Sequence, residues 1–281
     1  MKTVVVTGVS TGIGWATAKV LLDAGLRVFG SVRREEDAAR LSREFGSGFQ
    51  PLLFDVTDTA AVRDAAEEVR RALGGEALFG LVNNAGIAVP GPLLHLKIEE
   101  FRRQLDVNLT GQLIVIQAFA PLLDGEHPGR IVMISSMGGR NAAPFVGPYS
   151  TTKFGLEGFS ESLRRELMVF GIDVIVIAPG AVATPIWDKA DAIDLAPYAS
   201  TPYAGPLARI KKEMITRGRK GLPPEVIGRA VHRALTAPHP RTRYTITPEP
   251  FGSFLLSILP KRWADRIYAK MLGLKRGGMQ P

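Results

Sequence analysis

The feature that most constrains this chain is an alternation that runs from its first residues to about residue 180: short apolar runs, each followed by a helical pattern. Strand-sized runs fall at Thr3–Thr7, Arg27–Ser31, Gln50–Phe54, Leu78–Val82, Arg130–Ser135 and Ile172–Ala178. They are nearly continuous in apolar residues rather than alternating, the pattern of parallel strands covered on both faces. Between them the periodicity predicts helices over Gly12–Ala24, Glu35–Phe45, Thr59–Leu73, Ile98–Leu123 and Tyr149–Phe170. Gly25, Gly46, Gly74 and Gly171 each follow such a run, where a helix ends on a left-handed residue. Strand-helix repetition of this kind predicts an α/β fold, a doubly wound parallel sheet with right-handed crossovers. The length, 281 residues, fits one such domain.

After Pro179 the texture changes. Residues 183–224 are rich in proline and glycine and carry Trp187, Tyr198 and Tyr203. A stretch of this length beside the carboxyl end of a sheet reads as a substrate-binding lid. A helix over Pro224–Ala237 and a strand over Arg243–Thr247 follow, and the tail from Phe251 to Leu274 reads as two short amphipathic helices broken at Pro260. The expected organisation is one domain: residues 1–182 as cofactor-binding and catalytic core, 183–224 as lid, and 225–281 as the last strand and C-terminal helices.

The longest apolar runs are strand-sized, so no segment is expected to span a bilayer. The start lacks a secretory pattern, and a cytoplasmic location is the expectation. With no cysteine, thiolate catalysis and Cys-ligated metals are excluded, and the four scattered histidines lack ligand spacing, so no metal site is expected. The net charge of +8 is concentrated in two stretches, Arg209 to Lys220 and Lys261 to Arg276. The first reading is a solvated helix face; the sharper ones are an anionic substrate or attraction to an anionic membrane surface. Nucleic acid is disfavoured because aromatic side chains are not interleaved with the basic ones as stacking platforms.

Two groups of residues carry chemistry. The first strand runs into Thr7-Gly8-Val9-Ser10-Thr11-Gly12-Ile13-Gly14, with a helix opening near Gly12. Glycines there allow a tight turn and let a pyrophosphate approach the N–H groups at the positive end of the helix. Further on, Ser136, Tyr149 and Lys153 stand at spacings of thirteen and four. Tyr149 and Lys153 share a helix face, so an ammonium can act on a phenol whose ordinary pKa, near 10, is poorly matched to neutral pH. A trio of this composition can move a proton to or from an alcohol or ketone oxygen.

In this order and spacing, Thr7-Gly8-x-x-x-Gly12-Ile13-Gly14, Asp55, Asn83-Asn84-Ala85-Gly86, Asn108, Ser136, Tyr149-x-x-x-Lys153 and Pro179-Gly180-x-x-x-Thr184 resemble the short-chain dehydrogenase/reductase family, in its single-domain branch. The likeness is good over residues 3 to 190. It implies a Rossmann-type fold and a redox enzyme in which Tyr149 is the acid/base, Lys153 assists it and holds ribose hydroxyls, Ser136 orients the carbonyl oxygen, and Asn108 anchors a water in a proton relay. Ser135 is the rival for the serine role, but its spacing to Tyr149 is fourteen. For the cofactor, the resemblance implies Gly8, Ser10, Thr11, Gly12, Ile13 and Gly14 around the phosphates. Asp55 and Val56 would lie at the adenine, with Asn83, Ala85 and Gly86 as its border and support. Pro179, Gly180, Val182 and Thr184 would lie over the nicotinamide.

Cofactor choice is read at the end of the second strand, where a carboxylate would bind a ribose 2′-hydroxyl. Here stands Ser31-Val32-Arg33-Arg34, and Arg33 suits a 2′-phosphate, so NADP(H) is expected over NAD(H). Glu35, Glu36 and Asp37 follow closely and keep dual specificity open. Met137, Phe145, Ile186, Trp187 and Tyr203 join Ser136 and Tyr149 as substrate candidates; their bulk and apolarity point to a lipophilic alcohol or ketone. The tail's Pro260-Lys261-Arg262-Trp263-Ala264-Asp265 resembles hydroxysteroid and retinol dehydrogenase-like members. The resemblance also implies a homodimer or homotetramer through the helices 98–123 and 149–170. The rival readings are an epimerase or dehydratase of the family's extended branch and a cofactor-binding regulator without catalysis.

Overall fold

A computed structural model describes residues 1–250, 252, 255 and 258–275. β1 (Thr3–Val6) is buried along its whole length and pairs in parallel with β2 (Arg27–Val32) on one side and β4 (Gly80–Asn83) on the other. β3 (Phe49–Leu53) continues beyond β2, and β5 (Arg130–Ile134), β6 (Asp173–Pro179) and β7 (Arg243–Ile246) continue beyond β4. The result is the expected doubly wound parallel sheet, seven strands in the order β3-β2-β1-β4-β5-β6-β7. The continuous apolar runs are explained by β1 itself: Val4 and Val6 enter the core on one face and Val5 the core on the other.

Helices α1 (Gly12–Asp23), α2 (Glu35–Phe45) and, beyond α7 (Ile186–Asp191) and α8 (Ala204–Arg219), α9 (Pro224–Thr236) cover one face of the sheet. On the other face lie α3 (Thr59–Leu73), α4 (Ile98–Leu105), α5 (Gly111–Phe119) and α6 (Gly147–Glu166). The bounds of α3 agree with the sequence reading because both ends are punctuated locally. Asp58 accepts from the N–H groups of Ala60 and Ala61 at 3.0 Å, and Gly74 closes the helix in the left-handed conformation.

Two expectations need correction. The segment 98–123 is not one regular helix: a π turn over Asp106–Thr110 separates α4 from α5, and a 3-10 turn over Ala120–Leu123 ends it. By length and composition these 26 residues are also long and apolar enough to cross a membrane, contrary to the reading of strand-sized runs alone. Packing accounts for their apolarity differently, since Val115, Ile116, Phe119 and Leu123 lie in the core beside the buried amides Gln104, Asn108 and Gln112. The stretch expected as a lid is largely helical, in α7 and α8. Its Leu207 and Ile210 form a third apolar cluster with Phe145 and with Leu272 of α10 (Lys261–Leu272). Pro260 does precede α10, whereas the first tail helix falls mostly outside the described residues.

The close approach of α9 to α1 rests on Gly228, where an added Cβ would stand 2.8 Å from the Ala16 carbonyl oxygen. Gly158, on α6, has open space in the same position. Alanine gains about 1 kcal/mol of helix propensity at either site. At Gly228 a clash with backbone outweighs it, because overpacking costs ~1–3 kcal/mol. Thermal melts should therefore show Gly158→Ala raised by about 2–3 °C and Gly228→Ala lowered; equal shifts in one direction would contradict the packing argument.

Candidate active site

β1 and β4 are neighbours, but the chain leaves them toward opposite faces, so a crevice opens between their carboxyl ends. Its floor at this point is the glycine turn. Gly8 and Gly12 have φ of 71° and 64°, and a Cβ on Gly14 would stand 2.1 Å from the Gly8 carbonyl oxygen. Thr11 at the N-cap of α1 gives no side-chain cap, so the first-turn N–H groups are left for a ligand. The turn is held from outside: Ser31 Oγ accepts from Gly8 N–H at 2.9 Å, and Arg40 donates to the Ser10 carbonyl at 2.8 Å. This cradle fits the pyrophosphate of a dinucleotide. Ser10, Thr11, Ile13 and, across from Gly12, Thr184 line the same cleft, which encloses about 1910 Å³.

At the far end of the cradle the Arg33 guanidinium lies 3.5 Å from Asp55 Oδ2 and is mostly exposed. Burial by itself would raise the Asp55 carboxyl, but hydrogen bonds from the Thr57 main chain and hydroxyl, and Arg33 beside it, together hold it below its ordinary value. Asp55, Val56 and Arg33 all line the cleft. The acid that could have offered a ribose contact is committed elsewhere: Asp37 pairs with Arg34 at 3.2 Å and Arg40 at 2.9 Å. Glu35, Glu36 and Asp37 are not among the lining residues.

Ser136, Tyr149 and Lys153 converge where β5 ends against α6. Ser136 Oγ accepts from Gly138 N–H at 3.0 Å, which turns the hydroxyl into the cleft. Ser135, its rival, is buried and its hydroxyl has no partner among the described residues. Desolvation pushes the Tyr149 phenol above its ordinary value, opposed by the Ser136 hydroxyl. Lys153 donates to the Ile134 carbonyl at 2.8 Å, and its ammonium stands 5.7 Å from the centre of the Tyr149 ring. Burial draws Lys153 down to about 8, opposed by the charge of Glu157. The sequence reading had the ammonium favouring the phenolate; in the protein alone, desolvation of both groups is the larger effect and keeps the tyrosine protonated.

A ladder of amides on α4, the π turn and α5, Gln104, Asn108 and Gln112, pins the chain that leaves β4. Gln104 bonds Val89 N–H and Ile87 C=O, Asn108 bonds both main-chain groups of Ile87, and Gln112 donates to Ala85 C=O. Asn108 also donates to Thr152 Oγ1 at 3.2 Å, and Thr152 donates to the Tyr149 carbonyl at 2.8 Å. Its side-chain amide thus ties the chain after β4 to the Tyr149 helix. Asn83 does not reach the cleft: it is buried in β4, with its Nδ2 3.5 Å from Met133 Sδ. Its neighbour Asn84 lines the cleft instead, donating to the carbonyls of Thr7 at 2.8 Å and Gly8 at 3.1 Å. The alternation of strand faces distinguishes the two, but only once the strand end is known. Ala85 and Gly86 line the cleft as expected, and a Cβ on Gly86 would stand 3.3 Å from Asn108 Oδ1.

Beyond the trio, Met137, Phe145, Ile186 and Trp187 line the cleft with Pro179, Gly180 and Val182. Phe145 holds a left-handed φ of 65°, strained for its type. Trp187 donates to the Val182 carbonyl at 2.7 Å and lies flat against Gly218, so it anchors α7 to α8 as well as facing the cavity. Tyr203 does not line the cavity; it stands behind Phe145, edge to face at 5.8 Å. Tyr198 and Leu207 take that part of the wall.

The profile of the short chain dehydrogenase family matches residues 2–193. An "NADPH-dependent 3-dehydrocapnine reductase" of Ornithobacterium rhinotracheale is 38% identical over 277 residues, covering 97% of this chain and 98% of that one. Retinol dehydrogenase 16 of Mus musculus is 36% identical over 258 residues, covering 87% and 80%. Among solved structures, a short-chain dehydrogenase from Streptomyces avermitilis superposes with a TM-score of 0.75 at 26% identity, covering 97% and 95%. Matched over more than half its length by the family profile, and over nearly all of it by a relative, the chain belongs to the short-chain dehydrogenase/reductase family of oxidoreductases.

Proposed function

We propose that this oxidoreductase uses NADP(H) to interconvert a lipophilic secondary alcohol and its ketone, with Tyr149 as acid/base. The observation that carries the reading is the convergence of Ser136, Tyr149 and Lys153 on the floor of one cleft, between a pyrophosphate cradle and an apolar wall. Gly8, Ser10 to Gly14, Ala85, Gly86, Val182 and Thr184 would hold the cofactor, with Arg33 at the 2′-phosphate. When bound, the nicotinamide supplies or accepts the hydride. Ser136 donates a hydrogen bond to the substrate oxygen and orients it. Tyr149, kept protonated by desolvation, gives its proton to that oxygen in the reductive direction and takes it back in the oxidative one. The Lys153 ammonium stabilises the phenolate so formed. The apolar lining of Met137, Phe145 and Ile186 supports a lipophilic substrate, and the NADPH-dependent relative supports the cofactor.

Tyr149→Phe should cut turnover by ~10²–10⁴-fold while leaving cofactor binding intact, since general acid catalysis has about that worth. Lys153 is charged below about 8 and neutral above, so ketone reduction should be level at lower pH and fall as pH rises through that value. A nicotinamide-absorbance assay checks both, and a full-rate Tyr149→Phe enzyme would end the proposal. For cofactor choice, a charge-assisted hydrogen bond contributes ~1.5–3 kcal/mol. Arg33→Ala should therefore weaken NADPH by roughly 10–100-fold in calorimetry and NADH hardly at all; equal losses would return the preference to NAD(H).

We further propose a homodimer or homotetramer. The outer faces of α5 and α6 and the turn after α6 expose Leu113, Phe154, Met168, Val169 and Phe170, apolar surface that a second copy would cover. Light scattering at micromolar concentration should give a multiple of 30.4 kDa, and a monomer mass would contradict it.

A further inference from the structure

Among the described residues, α10 is fastened to the body by one face. Ala264 and Leu272 are buried and Tyr268 is half-buried; Asn141 donates to the Tyr268 hydroxyl at 3.0 Å, and Arg209 donates to the Leu272 carbonyl at 2.6 Å. Leu272 and Tyr268 back onto Phe145 and Leu207, so α10 seals the apolar end of the cleft from outside. A helix with only that task would present a polar outer face. This one carries a second apolar stripe instead. Trp263, Ile267 and Met271, at successive spacings of four, are 60%, 48% and 43% exposed. Spacing of four keeps side chains on one helix face. Arg262, Arg266 and Lys270 repeat at the same spacing one residue earlier and form a cationic stripe alongside the apolar one. With Lys261 the helix holds four cations against one acid, Asp265, and none of the four is ion-paired among the described residues. Leu255 and Ile258, just before Pro260, are exposed as well.

We infer that this face of α10 docks on an anionic lipid surface. Scattered exposed apolar residues need no explanation, but a contiguous stripe does. A ladder of cations parallel to an apolar ridge, with a tryptophan on that ridge, suits the boundary between headgroups and acyl chains. A second copy of this chain is the poorer occupant. A twofold contact through the stripe would set Arg262, Arg266 and Lys270 of one subunit close to the same residues of the other. The docking stands on α10 alone. Its use, admitting a lipophilic substrate from the bilayer beside the cleft mouth, rests on the function proposed above.

The test is co-sedimentation of the full chain with vesicles, without substrate, so that it is independent of turnover. Phosphatidylcholine vesicles containing phosphatidylglycerol should retain the protein at low ionic strength. Phosphatidylcholine alone, or salt of about 0.5 M, should weaken binding by roughly tenfold or more, because each basic residue near an anionic surface contributes ~1 kcal/mol and salt screens it. The double variant Ile267→Glu, Met271→Glu should lose binding by at least about tenfold at unchanged melting temperature and unchanged turnover of a soluble ketone. Arg266→Ala with Lys270→Ala should lose the preference for anionic lipid. Absence of wild-type binding to anionic vesicles overturns the inference, as does a double variant that binds like wild type. A change in the protein's mass in solution on Ile267→Glu overturns it too, because the stripe is then a subunit contact.

Discussion

The crevice exists because β1 and β4 lie side by side while the chains that follow them part, and one small set of hydrogen bonds holds the point of parting. Thr7 Oγ1 accepts from the N–H groups of Asn84 and Ala85 at 2.9 and 3.0 Å, and Asn84 Nδ2 returns bonds to the carbonyls of Thr7 and Gly8. The turn after β1 and the loop after β4 are thereby locked to each other rather than to solvent. These groups are partly buried, and leaving one without its partner would cost about 1–3 kcal/mol. Around the lock the remaining parts fall into place. Gly14 must lack a Cβ because Gly8 C=O and Asn84 Nδ2 stand 2.1 and 2.5 Å from where it would be. Ser31 and Arg40 then fix the outer side of the turn, and the amides of Gln104, Asn108 and Gln112 fix the inner side of the loop.

The same frame sets the electrostatics of the trio. Lys153 is tied by Ile134 C=O under the end of β5, inside the low-dielectric body of the sheet and α6. Burial therefore works against its charge and against the phenolate of Tyr149 at once. A site prepared in this way favours the protonated tyrosine, which is the state the proposed ketone reduction requires, while a lysine near 8 stays close enough to titration to respond to a change in its surroundings. Glu157, paired with Arg243 at 2.9 Å, opposes the fall of Lys153.

Much of this was legible beforehand, and the exceptions follow one rule. Elements whose limits are written locally were read well: α3 begins and ends where Asp58 and Gly74 place the caps, and α2 ends at Gly46. That the glycine turn and the Ser136–Tyr149–Lys153 trio open on one cleft was legible because each is a short-range pattern with its own chemistry. Residues read wrongly depend on partners far away in sequence. Asn83 and Asn84 are adjacent and alike in type, and only the direction of the last β4 residue sends one into the sheet and the other into the clamp. Tyr203 lost its place on the cavity wall to Tyr198 and Leu207 because α8 sets it behind Phe145. Asn108 was expected to anchor a water from within a continuous helix, and the helix is not continuous there. The π turn there goes with the Ile87 and Thr152 bonds that draw its amide inward.

The sequence by itself determined the layered α/β architecture, because runs of apolar residues of strand length can be satisfied only by a sheet covered on both faces. It also determined the glycine turn and the Tyr149–Lys153 pair, whose spacings are properties of one turn and one helix. The tertiary structure alone decided which amide clamps the crevice, that Asp37 is withdrawn from the cofactor end by Arg34 and Arg40, and that the lid is helical. It alone decided too that α10 turns a second apolar stripe outward. Those outcomes depend on which surfaces meet after long-range packing, and the local spacing of residues carries no information about that.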